Sequence, residues 1–313
     1  MTEAAARAGN PASSFKNRRK KEALYGYLLA SPVILGFLIF VLGPMIASFI
    51  FSFTDYNVIS RMNFVGLANY RNLFDGTDPF FYKSLGVTAY YVLLGVPLQI
   101  VCSFLMALLL NQNIQGRSIF RTIFYLPTIV PVVASSVLFL WLLNPDIGLF
   151  NQILEMLGLP TSQWIYSERM AVPSLVLMSL WTIGGTTVIF LAGLQGVPRH
   201  LYEAVEVDGG KARHRLLYVT IPLMTPTIFF NTVMGLIGGF QIFGQAYIMT
   251  QGGPNNATLF YSYYLYREAF DNFRMGSASA IAWVLFVIIL AMTLLVFKSS
   301  NLWVFNENEE GKR

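Results

Sequence analysis

The chain has 313 residues, of which 55% are apolar and only 12% charged, and its net charge is +5 at pH 7. Soluble domains usually carry about 25% charged residues, so this composition argues against a soluble enzyme and indicates a membrane protein. The basic excess lies beside apolar segments, and no nucleic-acid partner is needed to explain it.

Six long segments contain no Asp, Glu, Lys or Arg. Each exceeds the roughly 20 residues that a helix needs to cross a bilayer. Because barrels require short alternating strands instead, we predict an all-α integral membrane protein with six transmembrane helices. The predicted spans are residues 25–53, 85–110, 120–143, 171–195, 223–249 and 277–299. Residues 24–300 then form the membrane domain, between tails at 1–23 and 301–313.

The basic residues are distributed unevenly between the two sides of this topology. Of the 21 Lys and Arg residues, 15 flank one side and six flank the other. Basic residues accumulate on the cytoplasmic side, so both termini are predicted to be cytoplasmic in a bacterial-type inner membrane. The single cysteine, Cys102, lies in the second span and excludes an internal disulfide.

Prolines and uncharged interiors characterise the spans. Pro127 and Pro131 are expected to bend the third span, because each removes an intrahelical hydrogen bond.

No span has an ionisable side chain in its interior. This argues against an ion-coupled carrier, although sodium sites built from carbonyls and hydroxyls stay open, and against an intramembrane enzyme. No metal site is predicted, since His200 and His214 are the only histidines and both lie in one loop.

That loop, between the fourth and fifth spans, interrupts the apolar sequence with YEAVEVDGGKARHR (residues 202–215). Leu201, Ala204 and Val205 have the spacing of a short apolar helical stripe. Gly209 can end this helix with a positive φ. A second short helix is expected to run from about Lys211 until Pro222 interrupts it. The sequence therefore predicts a helix–turn–helix on the cytoplasmic face, either a partner-binding element or a solvated loop without a partner.

The fifth span carries polar residues on one helical face, at 100° per residue. They are Asn231, Gly235, Gly238, Gln241 and Gln245. This face is either a helix-packing seam or the wall of a cavity for a neutral, hydroxyl-rich solute. Under the second interpretation the candidate translocation-path residues are Asn231, Gln241 and Gln245. Three aromatic residues could stack on sugar rings or belong to the interfacial belt: Tyr247, Trp141 and Trp181.

The loop resembles the E-A-A-x-x-D-G-A motif of the permease subunits of ABC importers. Four residues match it directly: Glu203, Ala204, Asp208 and Gly209. Val205 and Gly210 each replace an alanine, which is expected to loosen the turn at Gly210, and Pro222 lies at the expected distance. Further segments resemble the carbohydrate-importing branch, the maltose and glycerol-phosphate type. They are FVGLANYRNLF (64–74), NPDIGLFN (144–151), LAGLQGVP (191–198) and GGPNNATLFYSYYLYREAF (252–270).

The resemblance implies a type I importer fold and the partners of such an importer. These are a second homologous permease, two cytoplasmic ATP-binding subunits and an extracytoplasmic solute-binding protein. Coupling helices at about residues 198–222 would dock on the ATPase through Leu201, Glu203, Ala204, Val205, Asp208 and Gly209. Leu201, Ala204 and Val205 would supply the apolar contact or hold the helix pair together. Glu203 and Asp208 would cap or pair with basic groups, and Gly209 would permit the reversal.

The chain itself is predicted to be a non-catalytic transport subunit without a cofactor. It has no G-x-x-x-x-G-K-[ST] loop for nucleotide phosphates, so ATP hydrolysis is expected on the partner. The predicted cargo is a sugar or oligosaccharide. The alternatives are a polyol or glycerol-phosphate compound, an ion-coupled carrier, or a membrane scaffold that transports nothing.

Overall fold

The computed structural model describes residues 11–59, 61–113 and 115–305, with side chains from residue 21 onward. Residues 1–10 and 306–313 of the two predicted tails lie outside these described residues. Within the described part the only β-structure is an isolated bridge between Thr54 and Phe64. The α-helices are α1 (Pro11–Phe37), α2 (Gly43–Phe51), α3 (Ala68–Phe74), α4 (Pro79–Asn111), α5 (Arg117–Ile129), α6 (Val132–Leu142), α7 (Leu149–Met156), α8 (Ala171–Trp181), α9 (Gly184–Gly196), α10 (Arg199–Val207), α11 (Ala212–His214), α12 (Ile221–Phe240), α13 (Tyr261–Tyr266) and α14 (Met275–Trp303).

Four continuous helical stretches are long and apolar enough to cross a membrane. They cover residues 21–51, 79–111, 212–240 and 275–303. Two bent helix pairs, α5 with α6 and α8 with α9, bring the number to six when each pair counts as one crossing. The predicted all-α architecture with six spans is thereby confirmed.

The third and fourth crossings, predicted at 120–143 and 171–195, are each interrupted within the span. α5 and α6 meet at 99°, and α8 and α9 meet at 52°. The first break lies at Val130, whose backbone is extended with ψ 127°. Pro131 disfavours the helical conformation of the residue before it, so the predicted bend of the third span is a complete interruption. The second break, at Thr182 and Ile183, contains no proline and was not predicted.

The fifth crossing begins and ends earlier than the predicted 223–249. A continuous helical stretch runs from Ala212 to Phe240 and ends before Gln241. The prediction that Pro222 separates a short loop helix from the span is wrong. Residues 215–220 form a π-helical turn, and Pro222 lies in the first turn of α12. A proline inside a helix removes an intrahelical hydrogen bond, and the π-helical turn before Pro222 can re-satisfy the backbone groups, so the helix passes through.

The centre of the bundle is α4, which packs against α8, α9 and α12. Glycines let α12 approach α4 closely. A Cβ atom on Gly235 would lie 2.9 Å from Val96 Cγ1, and one on Gly239 would lie 3.0 Å from Val92 Cγ2. Small residues permit this contact between helix backbones in a membrane. The packing interpretation of the fifth span therefore holds for Gly235.

Asparagines fix the two long loops on the side of the bundle opposite α10. The Nδ2 of Asn69 donates to the carbonyl oxygens of Ser52 and Thr54, at 2.9 and 2.8 Å. Asn151 is 3% exposed, and its Oδ1 accepts from Trp164 Nε1 at 2.8 Å. Both residues belong to segments that resemble the importer family, and their role in this structure is to order the loops.

Candidate functional site

The loop between α9 and α12 reverses the chain direction immediately after α10. The N–H of Gly209 donates to Glu206 O at 3.0 Å, and the N–H of Gly210 donates to Val205 O at 2.8 Å. These two bonds form a Schellman ending, which requires a left-handed residue at its first glycine. Gly209 meets this requirement with φ +74°. The reversal predicted from the two glycines is therefore present.

The inner face of α10 packs on the membrane domain. Leu201 and Val205 contact the cluster of buried residues that contains Val219 and Met224. Ala204, which was expected to share their stripe, is exposed. A nine-residue helix presents only two of these three side chains to one neighbour. Leu201 and Val205 therefore pack α10 against the helices of the membrane domain.

The outer face of α10 is free within the described part of the chain. It exposes Glu203 and Ala204, and next to them Val207 and Asp208. Val207 is 88% exposed although its side chain is apolar. An apolar group flanked by carboxylates is suited to a cleft with an apolar floor and basic edges.

Polar contacts join α10 to the start of the fifth crossing. The hydroxyl oxygens of Tyr202 and Thr220 are 3.1 Å apart. Glu206 forms an ion pair with Arg215 across the reversal. Exposed ion pairs contribute only about 0–1 kcal/mol, so the packing of the half-buried Leu201 and Val205 is the main constraint on α10. α10 is therefore in direct contact with the beginning of the continuous 212–240 helix.

The two departures from the E-A-A-x-x-D-G-A pattern compensate each other. A Cβ atom on Gly210 would lie 2.4 Å from Val205 Cγ1 and 2.8 Å from Val205 O. Valine at 205 fits because residue 210 has no side chain. Gly210 also donates the longer-range bond of the Schellman ending, so the expectation that it loosens the turn is not met.

A cavity of about 580 Å³ lies among α4, α8, α9, α12 and the segment that follows α12. It has the volume of a typical small-molecule site. Among the described residues, no charged side chain lines it. The polar side chains that line it are Gln99, Ser179, Thr182, Thr186, Asn231, Gln241 and Gln245. The three predicted path residues thus line one cavity, together with Gly235 and Gly238.

The amides of this cavity differ in how they are bonded. Asn231 is 5% exposed and its Nδ2 donates to Thr227 O at 2.9 Å, while Gln99 Nε2 donates to Ser179 Oγ at 2.8 Å. Gln241 and Gln245 make no side-chain hydrogen bond to any residue that the structure describes. Their carbonyl oxygens and NH₂ groups can therefore accept from and donate to hydroxyl groups of a solute.

The single-face argument for the fifth span is only partly correct. The helix ends at Phe240, so Gln245 reaches the cavity from a separate helical turn at residues 244–250 rather than from the same helical face. The sequence argument also missed Gln99, Thr182 and Thr186, which come from the second and fourth crossings. Their signal was available, because each is an uncharged polar residue within an apolar run.

The aromatic residues suggested for sugar stacking do not line this cavity. Trp181 packs on Phe139, with ring centroids 5.6 Å apart, and Tyr247 stacks on Phe243 at 5.4 Å. Trp141 is 55% exposed on α6. The aromatic rings that do line the cavity belong to Tyr91, Phe230 and Phe243.

Comparison with known families gives one match over most of the membrane domain. Residues 99–300 match the family described as "Binding-protein-dependent transport system inner membrane component". The matched region includes the loop and all of the cavity lining except Tyr91 and Val96.

Individual relatives and solved structures agree with this match. A probable ABC transporter permease, YesP of Bacillus subtilis, is 41% identical over 96% of this chain and 99% of its own length. The trehalose/maltose transport system permease MalF of Thermococcus litoralis is 32% identical over 89% and 94%. A similar chain occurs in a crystal structure of a bacterial alginate ABC transporter in complex with an alginate pentasaccharide-bound periplasmic protein. That chain is 25% identical and has a TM-score of 0.78, and the match covers 91% of this chain and 96% of that one.

Proposed function

The chain belongs to the family of binding-protein-dependent transport system inner membrane components, and from this premise we propose that it imports a sugar or oligosaccharide as one permease subunit of an ATP-driven transporter. Relatives with 30–41% identity include permeases described as transporting arabinooligosaccharides and trehalose or maltose. The uncharged cavity fits such a cargo, because amide and hydroxyl groups bind sugar hydroxyls without the cost of burying a charge.

The observation that carries the proposal is the continuity between the loop and the cavity. One helical stretch runs from Ala212, in the loop, to Phe240, at the cavity. At about 1.5 Å per residue, Ala212 and Asn231 are about 28 Å apart along it. A push on α10 is transmitted to the start of this stretch through the Leu201 and Val205 contacts and through Tyr202. Motion at the loop is thereby coupled to the cavity wall.

The proposed partners follow from the two exposed surfaces. α10 presents Glu203, Ala204, Val207 and Asp208 to a cytoplasmic ATP-binding subunit, of which two are expected. This chain forms one side of the cavity, and a second homologous permease would form the other side. An extracytoplasmic binding protein would deliver the solute to the opposite face, where Asn69 and Asn151 order the loops. This arrangement requires cytoplasmic termini, as the basic residues indicate.

In the proposed cycle, ATP-driven closure of the two ATP-binding subunits moves α10 and the adjoining turn. Because α10 and α12 move together, the bundle changes from inward-facing to outward-facing. The chain contributes no group to ATP hydrolysis. Its contribution is a stiff connection between the ATPase and the solute path.

Reconstitution of the chain with its partners in proteoliposomes tests this function. We expect uptake of the sugar that the binding protein retains, and we expect it only with ATP inside the vesicles. Uptake by this chain alone, driven by a proton or sodium gradient, would instead establish an ion-coupled carrier. Stimulation of ATP hydrolysis by a polyol-loaded or glycerol-phosphate-loaded binding protein, and not by a sugar-loaded one, would correct the cargo. The absence of any stimulation would favour the scaffold alternative.

Removing a cavity amide should reduce transport by a moderate factor. We expect Gln241→Ala and Gln245→Ala each to lower the uptake rate at limiting sugar about two- to tenfold, because a hydrogen bond to a neutral group contributes about 0.5–1.5 kcal/mol. Gln112→Ala, which removes an exposed amide outside the cavity, is the matched control. Radiolabelled uptake measures the effect. Equal rates for all three variants and the parent would remove these amides from the path.

A further inference from the structure

Two arginines at the start of α5 share one neutral partner. Arg117 and Arg121 are about one helical turn apart. The Nη2 atom of each lies 3.2 Å from the side-chain oxygen of Gln195, in the amide orientation that accepts from both. Arg121 Nη2 also lies 3.5 Å from the carbonyl oxygen of Leu110. The side chains of two cations therefore converge on an uncharged group.

The residues that the structure describes place no carboxylate against this arginine pair. In the part of the chain that the structure describes, no carboxylate oxygen lies within 4.0 Å of a nitrogen of Arg117 or Arg121. The Nε atoms of both are buried and have no hydrogen-bond partner there. Like charges repel more strongly at a membrane boundary than in bulk water, because the effective dielectric constant is lower. The pair therefore favours a bound anion.

An apolar groove begins at the arginine pair. It is the first of two cavities, of about 240 and 260 Å³, against α5, α8 and α9. Arg121 and Gln195 line the first cavity, and Phe124, Gly184 and Thr187 line both. The groove is thus polar at the arginine end and mostly apolar along the rest of its length.

The outer surface of α5 is also apolar. Ile119 is 65% exposed, Ile123 is 56% exposed and Leu126 is 59% exposed. Exposed aliphatic side chains next to a cationic pair are typical of a helix in contact with the lipid headgroup boundary. The surroundings of the arginine pair thus combine a positive charge with surfaces that acyl chains cover.

We propose that Arg117 and Arg121 bind the phosphate group of an anionic phospholipid, with one of its acyl chains in the apolar groove. Guanidinium groups bind phosphate oxygens through paired N–H donors, and the added negative charge compensates the repulsion between the two arginines. The groove supplies the apolar surface that a free phosphate ion does not need. The proposal depends on the chain residing in a membrane and is independent of its cargo.

The test measures lipid binding to the purified complex in detergent. Dioleoyl-phosphatidylglycerol, dioleoyl-phosphatidylcholine and inorganic phosphate are added separately, and the melting temperature and bound lipid are recorded. We expect phosphatidylglycerol to raise the melting temperature. We also expect Arg117→Gln and Arg121→Gln each to weaken its apparent affinity about tenfold. Lys298→Gln, which removes one exposed cation at the end of another crossing, should leave that affinity within about twofold.

A second variant separates the groove from the charges. Ala192 is exposed and lines the groove, so Ala192→Trp should fill it and weaken phosphatidylglycerol binding while both arginines remain. If the arginine variants do not fold, Ala192→Trp tests the proposal without them. An equal effect of inorganic phosphate would identify a free-anion site, and equal binding of phosphatidylcholine would exclude selection for anionic lipid. Either result would overturn the proposal, as would arginine variants that lose a partner subunit but keep full lipid binding.

Discussion

We expect Gly209→Val to reduce ATP-driven uptake about tenfold or more in the reconstituted complex. Gly209 has φ +74°, and a left-handed conformation costs an ordinary L-residue about 1–2 kcal/mol. A β-branched side chain is a particularly poor fit to this region. The variant should therefore lose the Schellman ending of α10 and change the direction in which Glu203 and Val207 point. Sugar uptake and stimulation of ATP hydrolysis by loaded binding protein should fall together.

Two matched variants separate this effect from a general loss of stability. Gly209→Asn should retain most activity, because asparagine tolerates a positive φ better than other residues. Gly196→Ala adds a methyl group to α9 where no neighbouring atom lies within 4 Å, and it should behave like the parent. Uptake by Gly209→Val at the level of Gly209→Asn would show that the reversal is not needed for coupling.

The largest effect on folding is expected from Gly184→Ala. A Cβ atom at this position would lie 2.3 Å from Phe124 O, 2.7 Å from Thr128 Oγ1 and 2.9 Å from Tyr125 Cα. Two of these three atoms belong to the backbone of α5, so a side-chain rotation cannot relieve the overlap. Forcing extra volume into a packed contact costs about 1–3 kcal/mol and sometimes more. We expect a melting temperature in detergent that is lower by several degrees, and a lower yield of folded complex.

Gly86→Ala is the control for this prediction. Gly86 lies on α4, and an added Cβ atom there would meet nothing within 4 Å. Helix propensity favours alanine over glycine, so this change should be neutral or slightly stabilising. If Gly184→Ala melts at the same temperature as Gly86→Ala, the close approach of α5 and α9 at Gly184 is not present in the folded protein.

Class and architecture were predictable from the sequence because they depend on averages over long segments. An uncharged run of 20 or more residues has few alternatives to a membrane-spanning helix. The breaks in those helices depend on single contacts. Pro131 gave a local signal for the bend in the third crossing. The break after Trp181 is accompanied by the approach of Gly184 to the backbone of α5, which a sequence cannot show.

The loop was predicted better than the cavity, because its shape depends on a local sequence pattern and the cavity depends on contacts between separate crossings. A helix of nine residues followed by two glycines is expected to end in a Schellman motif, and Gly209 adopts the left-handed conformation that this motif requires. The stripe argument still misplaced Ala204, because three residues of similar spacing do not all face one neighbour. The cavity combines side chains from separate crossings. A helical wheel of the fifth span identified Asn231 but gave no information about Gln99 on α4.

The most direct test of the account is a cross-link between α10 and the ATP-binding subunit. Val207→Cys, at 88% exposure, is placed in a background with Cys102→Ser, since Cys102 is the only native cysteine. Ile59→Cys, also at 88% exposure but in the loop that follows the first crossing, is the control. With a short bifunctional reagent applied to the assembled complex, we expect residue 207 to link to the ATP-binding subunit and residue 59 not to. A complex that hydrolyses ATP in response to loaded binding protein, yet links its ATP-binding subunit to residue 59 or leaves residue 207 unlinked, would contradict the proposed coupling.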